Sequence, residues 1–130
     1  MTYTAKGHFE IDMKFKNPDN TEIPAIGQAT FDKVFKGDLT GTSQGQFLSF
    51  MTSREDSASY VVVEVVTGDL NGRNGGFAFV QMGMMHRGTQ TLTYKIVPDS
   101  GTDDLTGITG DLTLGENHHY EINYELPDCD

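Results

Sequence analysis

A single glutamate, Glu64, interrupts a run of five valines: Val61, Val62, Val63, Val65 and Val66. In an extended chain it shares a face with Tyr60, Val62 and Val66, so the four look inward together or outward together. Turned inward, a carboxylate among apolar groups can give or take a proton, and phenol hydroxyls nearby can share that work. Glu64, Tyr60 and Tyr94 are therefore the candidate catalytic residues. The competing reading is structural: Glu64 lies on an outer face, or pairs with a basic neighbour such as Lys33.

A second group is suited to holding a small molecule. Phe79, Met82 and Met84 can form an adaptable apolar wall, because thioethers fill irregular shapes. Lys33, Glu64 and Gln81 are the polar anchors that would orient a ligand against that wall, with entry near His86 and His118. The histidines do not form a metal set. His118 and His119 are adjacent, so a strand turns them to opposite faces, and no third ligand accompanies His86. No metal and no cofactor are expected. Arg73, in a glycine-rich turn, is read as pairing locally, with Asp69 the nearest acid.

One phrase recurs: Gly37-Asp38-Leu39-Thr40-Gly41, Gly68-Asp69-Leu70-Asn71-Gly72 and Asp103-Asp104-Leu105-Thr106-Gly107. Three aspartates in like positions raise the question of a calcium ring, but nothing resembles the alternating ligands of an EF-hand loop. The structural reading is preferred. Glycine lets a strand end bend, aspartate accepts hydrogen bonds from nearby backbone amides, and leucine plugs the end of a core.

These residues are positioned by strands. From Ala5 to Phe15 apolar and polar side chains alternate without a fault, the signature of a long strand with one dry face. Asn17-Pro18-Asp19-Asn20 stops it. Further strands are expected over 27–39, 43–52, 59–67, 76–85, 91–97, 108–114 and 119–126, and no segment has a helical period. The core face of the second carries Ala29, Phe31, Phe35 and Leu39, and also Lys33. Eight antiparallel strands with short connections remove their exposed edges by closing. The fold expected is all-β: one closed eight-stranded antiparallel up-and-down β-barrel, a single domain over 1–130, with a two-sheet sandwich as runner-up. In such a meander the turns after strands two, four and six share one rim. That rim carries all three copies of the phrase, and the other carries His86, His118 and His119.

Nine basic against nineteen acidic side chains leave a formal charge of −10. That charge repels phosphate backbones and anionic lipid, so neither nucleic acid nor a membrane is an expected partner. The only cysteine, Cys129, stands next to the last residue and is read as inert. No signal sequence or spanning segment is evident, and a cytoplasmic location is expected.

Stretches along nearly the whole chain resemble the bacterial domain-of-unknown-function family 3224. They are Lys33 to Gly41, Tyr60 to Glu64 with Thr67 to Arg73, Val97 to Thr102, and Tyr120 to Leu126. The resemblance implies a small barrel, allene oxide cyclase-like or lipocalin-like in shape, and by that kinship a homo-oligomer. It implies no established activity. Family members often carry a basic residue where this chain has Val65 and a histidine where it has Gln81, which speaks against an invariant catalytic pair at Glu64.

Two functions compete. In the first, the barrel binds a small, mainly apolar molecule in its cavity and cyclises or isomerises it if it does chemistry. In the second, the barrel is packed, has no cavity, and serves as a non-catalytic oligomeric structural or interaction protein. An open lumen separates them.

Overall fold

The alternating stretch at the start becomes β1 (Thr2–Phe15) in the computed structural model, which describes residues 2–127. It is followed by β2 (Gly27–Gly37), β3 (Leu39–Met51), β4 (Ala58–Leu70) and β5 (Arg73–His86). β6 (Thr89–Ile96), β7 (Thr109–Leu114) and β8 (His119–Glu125) complete the chain. Each strand pairs antiparallel with its neighbours in order, and β1 pairs with β8, closing the barrel. Among the described residues the only helical pieces are three single 3-10 turns, at Pro18–Asn20, Asp103–Leu105 and Glu116–His118. No helix among the described residues is long and apolar enough to cross a membrane. Cys129 lies outside the described residues.

Strand boundaries depart from expectation at the first copy of the phrase. Leu39 does not end the second strand but opens β3, and Asp38 alone forms the corner. The reason is local. Gly37 sits at φ +111°, a region that favours glycine, and turns the chain over the end of β1. There the backbone N–H of Asp38 donates to the Lys6 carbonyl at 3.0 Å, and the Asp38 carboxylate accepts from the Lys6 N–H at 2.9 Å.

The phrase closes one rim. Leu39, Leu70 and Leu105 are all essentially fully buried, each capping the core from its own turn. The aspartates serve backbone amides: Asp69 accepts from the Gly72 N–H at 2.8 Å and Asp104 from the Asn74 N–H at 3.4 Å. Tyrosines of β8 clamp the same turns. The Tyr120 hydroxyl accepts from the Leu39 N–H at 2.9 Å, and that of Tyr124 accepts from the Asn71 side-chain amide at 2.8 Å. Arg73 finds Tyr3 rather than Asp69: its guanidinium donates to the Tyr3 hydroxyl at 3.3 Å and lies 5.5 Å from that ring. Asp69 is already occupied by its own turn. Among the described residues no three His, Cys, Asp or Glu side chains converge to hold a metal ion.

Below this rim the lumen is packed. Phe35, Phe77, Phe79, Ile96, Ile108 and Ile122 all fill it, together with Tyr120 and Tyr124. The ladders are unequal in length. β3–β4 and β4–β5 share thirteen residue pairs each, whereas β6 and β7 meet as partners only at Lys95 and Asp111.

Candidate ligand site

The open half of the lumen begins where the phenylalanine packing ends. A buried ion pair marks the boundary. Lys33 on β2 and Glu64 on β4 both point inward, and Lys33 Nζ lies 2.9 Å from Glu64 Oε1. The second carboxylate oxygen accepts from Ser43 Oγ on β3 at 2.5 Å. Lys33 is 4% exposed and Glu64 0%. The ammonium is also boxed by rings, with Phe9, Phe31, Phe79 and Phe35 centred 4.6 to 5.9 Å away. Ring faces attract a cation, and more strongly where water is excluded, so the box adds to the carboxylate in holding the Lys33 head group in place.

Above the pair lies a cavity of about 320 Å³ to which strands β1 to β7 each contribute. Lys33 and Phe31 form its floor, and Ile11, Met13, Phe47 and Val62 its apolar walls. One side is polar. The Gln81 side-chain amide donates to the Tyr60 hydroxyl at 2.8 Å, and Tyr94 stands beside both. Gln81 faces Tyr94 directly across the β5–β6 ladder. Tyr60 is seated by Gly83, its ladder partner, because a Cβ there would run into the tyrosine ring. At the mouth, Phe47 stacks on Tyr60 at 5.5 Å, and Phe15 meets Phe47 edge-on at 6.2 Å. This aromatic series leads from the rim down to the polar cluster. Across the mouth, the His118 ring stacks on Phe9 at 5.0 Å and borders the cavity.

The family model for a protein of unknown function, DUF3224, matches residues 5–127. The chain belongs to the DUF3224 family. A crystal structure of a DUF3224 protein with unknown function, from Shewanella oneidensis MR-1, is similar throughout: the TM-score is 0.86 at 34% identity, over 99% of this chain and 100% of that one. A search of curated proteins finds no match.

The DUF3224 barrel brings some of the sequence candidates together and separates others. Lys33, Gln81, Tyr60 and Tyr94 line one cavity. Glu64 faces the lumen as the inward reading required, yet both its oxygens are engaged, and it makes no hydrogen bond to either tyrosine. Phe79 lies opposite Glu64 in the ladder, beneath the cavity floor in the packed core. Met82 and Met84 are corrections. They are 46% and 50% exposed and face outward, since Phe77, Phe79, Gln81 and Gly83 occupy the inward positions of β5. Inward Gln81 and inward Met82 cannot coexist on a regular strand. Met84 borders a separate apolar groove of about 300 Å³ at the rim, with Met51, Met85 and Phe15, which meets the cavity at Phe47 and Tyr60. His86 ends β5 exposed and does not line the cavity. His118, expected near the entry, does border the cavity, and the residues sequence reasoning passed over are Phe47 and Ser43. Phe47 and Ser43 share the inward parity of β3, a signal that the pairing of β3 with β4 would have revealed.

Burial pushes the Tyr94 hydroxyl up to about 12, with the neighbouring Tyr60 raising it further and the Gln81 hydrogen bond opposing. Tyr94 is therefore a neutral donor at physiological pH. Burial likewise raises Tyr120 and Tyr124 above the ordinary value. A raised folded-state pKa contributes stability that is complete below the unfolded value of about 10 and is lost as pH rises through the folded one. The barrel should thus weaken between about pH 10 and pH 12. The chain has five tyrosines and no tryptophan, so near-ultraviolet absorbance follows tyrosinate directly. A late ionisation near pH 12 that disappears in Tyr94→Phe is the expected result; a Tyr94 step at pH 10 in the folded chain would contradict it.

Proposed function

We propose that this protein binds a small, mainly apolar molecule in the open half of its barrel, oriented by one acceptor oxygen. The carrying observation is the cavity: apolar walls, with Tyr60, Gln81 and Tyr94 gathered on one side. Its volume, about 320 Å³, sits at the small end of the range for ligand pockets, roughly 300–1,000 Å³. A barrel packed to both rims has no such space, so the interior favours binding over a purely structural role.

Four residues would meet the ligand. Tyr94 donates a hydrogen bond, since its proton stays on through neutral pH. Lys33 presents ammonium protons at the floor, with one already committed to Glu64. Because the pair is neutral overall, the floor suits a carbonyl, ether or hydroxyl oxygen rather than a second full charge. Phe47 and Tyr60 supply flat apolar surface at the entrance.

A cyclisation or isomerisation of the bound molecule is a second reading. It is favoured by the His118 imidazole bordering the same cavity as the neutral Tyr94 donor. Such a site would work by holding a reactive substrate dry and folded, with His118 rather than the engaged Glu64 as the base.

Native mass spectrometry of the chain purified from its own host tests the binding reading. The expected result is a retained small molecule, released on denaturation. Tyr94→Phe should weaken its retention about tenfold, the worth of one neutral hydrogen bond at roughly 1–1.5 kcal/mol. A chain that leaves its host bare and takes up none of a panel of small aromatic ketones would sink the proposal.

A further inference from the structure

We infer that the outer face of β3, β4 and β5 is the surface through which two copies of this chain pair. On β4 the outward side chains are Val61, Val63 and Val65, exposed by 45%, 55% and 57%. Val80 and Met82 stand opposite Val63 and Val61 on β5, with Met84 next in line. Leu48 lies opposite Val61 on β3, with Phe50 beyond it. The three strands thus carry one contiguous apolar field, unrelated to the lumen.

Its size separates it from ordinary surface. At the observed exposures these side chains present on the order of 650 Å² of apolar surface, above the roughly 300–600 Å² of the largest patch on a typical monomer. Two such faces together would bury about 1,300 Å², inside the range of specific interfaces, roughly 1,200–2,000 Å².

Charge identifies the occupant. The chain carries −10 overall, so two copies repel through most approaches. The outward residues of this face, from Thr42 to Phe50, Ser59 to Thr67 and Ala78 to Met84, include no charged side chain. The charges of the barrel wall, of both signs, stand on the remaining outer strands instead: Lys6, Glu10, Asp12 and Lys14 on β1, Asp32 and Lys36 on β2, Lys95 on β6, Glu121 and Glu125 on β8. A basic or acidic partner finds nothing to pair with on these strands, whereas a second copy meets a field that carries no like charge to repel it. Shape agrees. Beside the valine ridge, a groove of about 520 Å³ runs over Gln44 and Gln46 to Thr30 and Asp32 of β2, so the charge-free field ends at the groove's far wall. Ridge and groove lie side by side on one face, so a two-fold arrangement places each copy's ridge against the other's groove, as an isologous dimer requires.

Sedimentation velocity of the full chain across micromolar concentrations tests this. The expected species is a dimer, twice the 14.3 kDa of one chain. Val63→Glu places a carboxylate at the centre of the paired face and should weaken association roughly a hundredfold or more, with an unchanged β-sheet circular dichroism spectrum. Thr113→Glu, on exposed β7, should leave the dimer intact. A monomer at every concentration, or a dimer indifferent to Val63→Glu, overturns the inference. So does a monomeric chain that floats with phosphatidylcholine vesicles through the same face. Val63 is remote from the lumen, so loss of pairing with ligand retention unchanged would separate this result from the binding proposal.

Discussion

Lys33→Met is expected to destabilise the barrel by about 3–5 kcal/mol, because it strands the fully buried Glu64 as an uncompensated charge. That is a large share of the roughly 5–15 kcal/mol that holds a domain of this size together. Methionine fits the space and makes favourable contacts with the surrounding rings, so the loss would report the orphaned carboxylate rather than a cavity. The decisive comparison is the variant in which both partners are replaced, Lys33→Met with Glu64→Leu. Removing a buried pair together is commonly neutral or stabilising, since two desolvation penalties vanish with the attraction. Here one group would be left over. Ser43 would lose its acceptor, costing about 1–3 kcal/mol, and adding Ser43→Ala should recover that. Urea unfolding of the parent, of Lys33→Met and Glu64→Leu singly, and of the double and triple variants measures the whole series. If the double variant loses as much as the sum of the single ones, the three groups are not a unit.

The second large effect lies at the other end of the barrel. Leu70→Ala should cost about 2–5 kcal/mol, the range for a fully buried leucine whose surroundings collapse only partly. Leu39→Ala and Leu105→Ala should fall in the same range, because all three are buried to the same degree at the same rim. Equality is the informative part. Thr40, which follows Leu39 in the same phrase, is exposed, and Thr40→Ala should change stability by less than about 0.5 kcal/mol. Thermal unfolding of these variants decides whether the leucines cap the core as equivalents. A Leu70→Ala chain as stable as the parent would remove the plug from the account.

The rim was legible in the sequence because its logic is local. A repeated glycine-aspartate-leucine phrase needs only turn chemistry to be understood, and the positions on the meander follow from counting strands. The strands themselves were equally plain where one face is wet, as from Ala5 to Phe15. The inward direction of Lys33 and Glu64 was also within reach, since each shares parity with unmistakable core residues: Phe31 and Phe35 for one, Val62 and Val66 for the other. Their partnership needed the register of three strands at once, and Ser43 entered only with it. β5 failed for a different reason. Its outer face is as apolar as its inner one, so hydrophobicity carries no direction, and Met82 and Met84 read like lining. Gly83 held the missing information. A glycine between two methionines looks like a weakness in a strand until Tyr60 is found filling the space beside it. The same outward apolarity that obscured the strand is what marks the pairing face.

The closing ladder bears on how this chain reaches its barrel. Every other pairing joins strands adjacent in sequence, and those hairpins can form from nearby segments as the chain collapses. The β1–β8 ladder, from Thr2 opposite Glu125 to His8 opposite His119, joins the two ends. Bringing segments together across about a hundred residues rather than about six is some four doublings of loop length, about 2.5 kcal/mol of added closure entropy. Zipping the long central strands beforehand shortens that search. The expected order is that β3, β4 and β5 form the early sheet and the ends meet last, and the amides of the thin β6–β7 seam should exchange their hydrogens fastest among the ladders.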